Sequence, residues 1–147
     1  MRPDTMCRDH VPATAPIPEL IVCPDHMQVF MFSAATWNRH HIHYSKDAAI
    51  SEGLPDIVVQ RALIGNFFAR LITNWIGDSG ELRRLAWKVT HSALPGRPIV
   101  CRGRVARREK AEDGYALVCE VTAHNENDKL IASGEAVVAF AAEARSD

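Results

Sequence analysis

Between residues 59 and 76 the chain carries two apolar stripes side by side. Leu63, Phe67, Leu71 and Trp75 form one, and Ile64, Phe68, Ile72 and Ile76 form the other. Each set recurs every four residues, which is helical spacing. Two adjacent stripes describe a helix buried over much of its circumference, not along a single seam. Such a helix needs an apolar surface curved around it. Gly65 sits in its middle, where glycine costs roughly 1 kcal/mol against alanine. A close packing partner is therefore expected at that point. Gly77-Asp78-Ser79-Gly80 stops the helix.

The remainder supplies the curved surface. Leu85, Trp87 and Val89 alternate with Ala86, Lys88 and Thr90, and Ile99, Cys101, Gly103 and Val105 alternate with Val100, Arg102 and Arg104. Tyr115, Leu117, Cys119 and Val121 make a third run, entered through the hairpin signal Asp113-Gly114. A fourth runs from about 130 to 140, after the polar turn 125–128. Period-two alternation predicts a half-buried antiparallel sheet. The expected fold class is α+β, a sheet wrapped around one long helix.

Upstream, residues 18–23 suit a first strand and Pro24 the first turn of a helix. Met27, Phe30, Met31, Ala34 and Ala35 recur as one apolar face, expected to point at the core in a helix ending near Trp37. Residues 38–45 then form a loop, and 46–52 a short helical turn closed by Gly53. The expected organisation is a loose arm over 1–16, one domain over 17–141 and a tail over 142–147. No internal repeat is visible.

A length of 147 residues suits one domain, and a net charge of −1 carries no nucleic-acid or membrane signature. Basic residues at 97, 102, 104, 107, 108 and 110 fit either the solvated face of a strand or a local anionic ligand such as a nucleotide phosphate. Cys7, Cys23, Cys101 and Cys119 form no CxxC pair, and no secretory signal or bilayer-length apolar run is present. A soluble cytoplasmic protein with reduced thiols is expected.

The loop holds the candidate chemistry. His40, His41 and His43 put three imidazoles within four residues. Buried histidines are costly unless hydrogen-bonded, but they suit proton transfer near neutrality. The spacing of His40 and His43 also permits a metal, although no Cys, Asp or Glu beside them completes a set. No metal is expected. His91 and His124 read as structural. Ser33 and Thr36 read as helix-packing residues, without the spacing of a nucleophilic triad. Arg83, Arg84 and Arg97 are isolated arginines that could be solvated or could meet phosphates.

The run Phe32-Ser33-Ala34-Ala35-Thr36-Trp37-Asn38-Arg39-His40-His41-Ile42-His43-Tyr44 resembles one branch of the MaoC-like dehydratases, or (R)-specific enoyl-CoA hydratases, of the hot-dog fold. That branch carries F-S-A-x-T-[FW]-N-x-H-x-I-H-Y here. Residues 54–63, Leu94-Pro95-Gly96-Arg97-Pro98 and Gly134-Glu135-Ala136 match more weakly, and the likeness spans about 17–141. It implies a single hot-dog domain and a hydratase or dehydratase acting across the 2,3 double bond of an enoyl thioester. His43 would be the acid/base, Asn38 would orient water and His40 would be a second proton group, while His41 would be exposed or structural. Amides at Arg61 and Ala62, on the long helix, would meet the thioester oxygen. The helix's apolar face and the sheet would line an acyl channel. Arg84 and Arg97 would be possible coenzyme A contacts. No cofactor is implied beyond coenzyme A or acyl carrier protein as part of the substrate.

The sequence departs from the family twice. The general pattern has aspartate where this chain and its branch have Asn38, and a carboxamide cannot take a proton from water. Where the family reads His-Gly before the long helix, this chain reads Gln60-Arg61. The added side chain is expected to crowd the helix mouth, narrowing the substrate range or removing activity. The resemblance thus implies two kinds of assembly. One is a homodimeric enzyme. The other is a non-catalytic hot-dog subunit completing a heteromeric hydratase, as in some bacterial steroid-degrading systems. An acyl-CoA thioesterase is a weaker alternative, because residues 59–76 offer no carboxylate.

Overall fold

A computed structural model of the chain describes residues 16–142. Five strands form one sheet: β1 (Pro16–Val22), β2 (Glu81–Val89), β3 (Ile99–Ala111), β4 (Gly114–His124) and β5 (Leu130–Ala141). Their order is β1-β3-β4-β5-β2, with every neighbouring pair antiparallel. Three helices accompany them: α1 (His26–Thr36), α2 (Lys46–Ser51) and α3 (Arg61–Ile76). The α+β expectation holds, and so does the central helix.

The alternation read from the sequence is the inward face of the sheet. Cys101, Val105, Leu117, Cys119, Val121, Ala136 and Val138 all point at α3 and are buried. The other face carries charge. Arg102 on β3 sits between Glu19 and Asp128, each at 2.7 Å, and Arg104 pairs with Glu120 on the neighbouring strand. Arg107 meets Glu109 at 2.7 Å and Glu135 at 3.7 Å, and the Arg108 guanidinium lies 3.7 Å from the Tyr115 ring centre. Arg102, Arg104 and Arg107 of the basic run are therefore matched by carboxylates of this same chain, which favours the solvated-face reading over an anionic ligand. Exposed pairs of this kind contribute little each.

Three boundaries moved. β1 begins at Pro16, two residues earlier than expected, with proline in the first strand position where its missing N–H is tolerated. Residues 1–15 and 143–147, and so nearly all of the expected arm and tail, lie outside the described residues. α3 begins at Arg61, because Val58 and Val59 stay extended and spend their N–H groups on the Ile42 and Ala93 carbonyls, at 3.0 and 2.8 Å. Pro24 precedes α1 instead of opening it, and Asp25 caps the helix by accepting from the Gln28 N–H at 2.7 Å.

The orientation of α1 corrects the sequence expectation. Val29 and Ser33 face inward, with Phe32 half-buried beside them. Met27, Phe30 and Met31 are instead 65%, 51% and 56% exposed. Buried hydrogen bonds from Gln60 to Val29 and Ser33, described below, fix this rotation. The apolar face that the periodicity assigned to the core is left open in the single chain.

Gly65 has the expected partner. A Cβ built on it would fall 2.1 Å from Cζ2 of Trp87, whose indole lies across that turn of α3. Gly65→Ala improves helix propensity by roughly 1 kcal/mol but forces overpacking that typically costs about 1–3 kcal/mol. Net destabilisation is expected, read as a lower urea midpoint; a midpoint equal to or above that of the parent would show that the indole is not held there.

Candidate active site

The candidate site starts where α1 ends. Trp37 takes the left-handed conformation, with φ 55° and ψ 33°. Its N–H and that of Asn38 turn back onto the Ala34 and Ser33 carbonyls, at 3.4 and 2.9 Å, as in a Schellman stop. Glycine is the usual residue there, and a bulky one costs on the order of 1–2 kcal/mol. Such strain gathers at functional loops. The Asn38 side-chain oxygen then accepts from the His40 N–H at 3.2 Å, tightening the next bend.

A 3₁₀ turn over His41–His43 swings His43 inward, to 7% exposure. Its Nδ1 lies 2.7 Å from the Val58 carbonyl. A carbonyl only accepts, so Nδ1 carries the proton and Nε2 keeps its lone pair. The Val58 N–H answers by donating to the Ile42 carbonyl at 3.0 Å. Burial, above all, pushes the His43 pKa below its ordinary 6.5; the Val58 carbonyl opposes this shift, and His40 reinforces it. The neutral imidazole is the resting form at pH 7, which is the form that can act as a base.

His40 lies outside, its ring 5.8 Å from that of His43 in an edge-to-face arrangement. Its Nε2 is 3.3 Å from Oε1 of Glu52, which caps the C-terminus of α2. Glu52 was not legible as a site residue: it follows His40 by twelve positions, and only the six-residue length of α2 returns it to the loop. His41 is exposed and packs against Tyr44, whose hydroxyl donates to the Arg39 carbonyl at 2.8 Å. Among the described residues no three potential ligands converge as a metal site would require.

Two residues beyond Val58 stands Gln60, fully buried. Its Nε2 donates to the Val29 carbonyl at 2.6 Å and to the Ser33 hydroxyl at 2.8 Å, and its Oε1 has no partner. Reversing the amide would set two acceptors against each other at Val29, so this orientation is the one the site permits. α3 starts with no side-chain cap. The N–H groups of its first turn, Arg61 and Ala62 among them, are therefore available to an anion or a developing negative charge.

Arg61 does what the sequence did not suggest. Its Nη2 donates to the Trp87 carbonyl on β2 at 2.8 Å. The long side chain expected to crowd the helix mouth is tied to the sheet. Arg97 pairs with Glu126 at 2.7 Å, at the edge of a cavity of about 100 Å³. Arg84 is exposed on β2 and makes no ion pair among the described residues. The apolar face of α3 is closed: Leu63, Ile64, Phe67, Phe68, Leu71 and Ile72 are at most 5% exposed and fill the concavity where an acyl channel was expected. A larger cavity of about 590 Å³ lies at the opposite end of α3, lined by Asp78, Glu81, Arg83, Asp113 and Phe140 among others.

The family model for hydroxyacyl-thioester dehydratase type 2 matches residues 3–95, which takes in α1, the histidine loop and all of α3. The chain belongs to this dehydratase family. No functionally curated protein matches it. Solved hot-dog structures share its fold. The (R)-hydratase of A. caviae involved in PHA biosynthesis aligns at 14% identity with a TM-score of 0.80, covering 90% of this chain and 98% of that one. The ChsH1–ChsH2 complex of Mycobacterium tuberculosis gives 20% and 0.76, covering 86% and 96%. A MaoC-like dehydratase of Rhodospirillum rubrum gives 10% and 0.73, covering 91% and 96%. The family thus comes from the sequence match and the hot-dog fold from the structural likeness.

The depressed pKa of His43 has a consequence for stability. The unfolded chain takes up a proton at this residue at higher pH than the native chain does. The contribution is intact above 6.5, the ordinary imidazole value, and is lost as pH falls below it. The urea midpoint should therefore drop more steeply between pH 7.5 and 5.5 in the parent than in His43→Gln; parallel slopes would show that His43 is not held neutral.

Proposed function

We propose that this protein adds water to, or removes it from, the 2,3 bond of an enoyl or 3-hydroxyacyl thioester. The observation that carries the proposal is the neutral His43, clamped through Nδ1 by Val58 two residues before the uncapped start of α3. In hydration, a water near Asn38 gives its proton to Nε2 of His43 as its oxygen bonds to Cβ. The electron pair of the double bond moves toward the thioester oxygen, where the Arg61 and Ala62 N–H groups receive the charge. Cα then takes the proton back from the His43 imidazolium, which returns to its neutral form as the thioester carbonyl reforms. Positioned acid–base groups contribute roughly 10²–10⁴-fold, and one oxyanion donor about 3 kcal/mol.

Asn38 orients water and transfers no proton. His40, with its ring 5.8 Å from that of His43, and the Glu52 that holds it serve as the second proton station, through which His43 exchanges protons with solvent. No resident cofactor or metal enters this scheme; coenzyme A or acyl carrier protein is part of the substrate. Arg84 is better placed than Arg97 for its phosphates, since Arg97 is engaged by Glu126. A cytoplasmic setting goes with the free thiols of Cys23, Cys101 and Cys119.

One observation favours an assembled version of the same reading. Met27, Phe30 and Met31 on α1 and Trp37 at its end are all more than half exposed, beside the histidine loop. Contiguous apolar surface of this kind marks interaction sites. The chain would then act as a homodimer or with a second hot-dog subunit, as ChsH1 and ChsH2 form a complex with each other.

Two variants test the chemistry on crotonyl-CoA and a longer 2-enoyl-CoA, followed by loss of the enoyl-thioester absorbance. His43→Ala should lower turnover by about 10²–10⁴-fold with the circular dichroism spectrum unchanged; activity within a few-fold of the parent would remove His43 from the mechanism. Asn38→Asp should keep or raise turnover, whereas its complete loss would show that the amide N–H of the side chain is needed. If the purified chain is inactive and activity appears with a second hot-dog subunit, the heteromeric version is the correct one.

A further inference from the structure

We infer that Trp87 is a positioning residue that aims the first peptide groups of α3, with Arg61 as its counterpart. The link to catalysis rests on the hydratase reading above; the brace itself does not.

Two residues 26 positions apart each bond the other's main chain. The Trp87 indole N–H donates to the Arg61 carbonyl at 3.0 Å, and Arg61 Nη2 donates to the Trp87 carbonyl at 2.8 Å. The guanidinium also lies 5.4 Å from the indole ring centre, within cation–π range. Two glycines make the room. A Cβ on Gly65 would meet the ring at 2.1 Å, and one on Gly134, the cross-strand partner of Trp87 on β5, would meet the Trp87 Cβ at 2.9 Å and the Ala86 carbonyl at 2.4 Å. The indole is thus slotted between helix and sheet.

What the indole holds matters more than that it is held. The Arg61 carbonyl and the Ala62 N–H belong to one rigid, planar peptide unit. Anchoring the oxygen fixes the direction of the N–H at its other end. Ala62 N–H is one of the donors assigned to the thioester oxygen, and such donors act through being aimed before the reaction begins. No side chain caps this helix, so the indole supplies the restraint that a capping residue gives elsewhere. The same contact holds the Arg61 guanidinium on β2.

Trp87→Phe keeps a ring against Gly65 and removes the indole N–H. Arg61→Met, at an exposed position, keeps the apolar stem and removes only the guanidinium, so it tests the pair without threatening the fold. Two readouts are taken on the full chain: nitrogen-15 relaxation of the Ala62 amide, and kcat and KM on crotonyl-CoA. In the parent, Ala62 should show an order parameter near that of rigid backbone, about 0.85, falling toward about 0.6 in Trp87→Phe while residues 67–72 stay rigid. Turnover should fall about tenfold in kcat with KM little changed, as for one misaligned hydrogen bond, and Arg61→Met should fall between. A rigid Ala62 in Trp87→Phe would overturn the brace, and a loosened Ala62 with unchanged kcat would overturn its role in positioning. If the parent hydrates no thioester either alone or with a second hot-dog subunit, the hydratase reading fails separately, and the relaxation result alone decides the brace.

Discussion

A fully buried carboxamide joins two helices that are far apart in the chain, and the geometry of the site follows from it. Gln60 gives both its amide hydrogens to α1, at Val29 and Ser33. Its oxygen is left buried without a partner, a debt of about 1–3 kcal/mol by ordinary reckoning. The two bonds it does make fix the rotation of α1 about its axis. That rotation decides which residues of α1 face outward, and it sets the direction in which the chain leaves Trp37. The left-handed Trp37 and the Asn38 bend then deliver His43 to Val58, in the same extended segment that ends at Gln60. The loop is closed on itself through the start of α3.

Within that closure the electrostatics divide by depth. His43 is buried, single-tautomer and held below the ordinary imidazole pKa. His40, a ring's width away, is half-exposed and faces a carboxylate. Two imidazoles of one loop are thereby given different environments, one buried against a carbonyl and one in solvent beside a carboxylate. The buried thiols take no part: burial pushes Cys101 up to about 12 and Cys119 to about 11, so at neutral pH both are inert packing groups on the inner face of the sheet.

Much of this was legible in the sequence, and what was not has a common cause. Periodicity found α3, the four later strands and their inward faces, because burial against a sheet is what produces periodicity. Gly65 announced a close neighbour, though not which one; Trp87 is supplied by β2, and pairing across a sheet leaves no local mark. The face of α1 was misread because its exposed side is the more apolar one, while two hydrogen bonds from a polar residue decide the orientation. Glu52 and the Arg61–Trp87 clasp were invisible for the same reason: each is a long-range polar contact, and spacing along the chain says nothing about it. The resemblance identified the histidine loop, but not how Arg61 would be held.

The single chain presents its chemistry at a rim. His43 is covered, yet His40 and Glu52 face solvent, the apolar side of α1 is bare, and β2, which carries Trp87, is an edge strand with an unpaired side. Each of these would be costly if it were the final state: edge strands invite pairing, exposed apolar stripes invite cover, and an oxyanion is stabilised far better where water is excluded than where it is not. The apolar face of α3 already fills the concavity of its own sheet, so no channel runs between that face and the sheet. On the hydratase reading a substrate would lie against this rim, and another subunit would supply the wall that dries it. On these grounds the choice between a self-sufficient dimer and a mixed assembly turns on what covers α1 and β2, and the departure at Gln60-Arg61, braced as it is, does not by itself mark the chain as inactive.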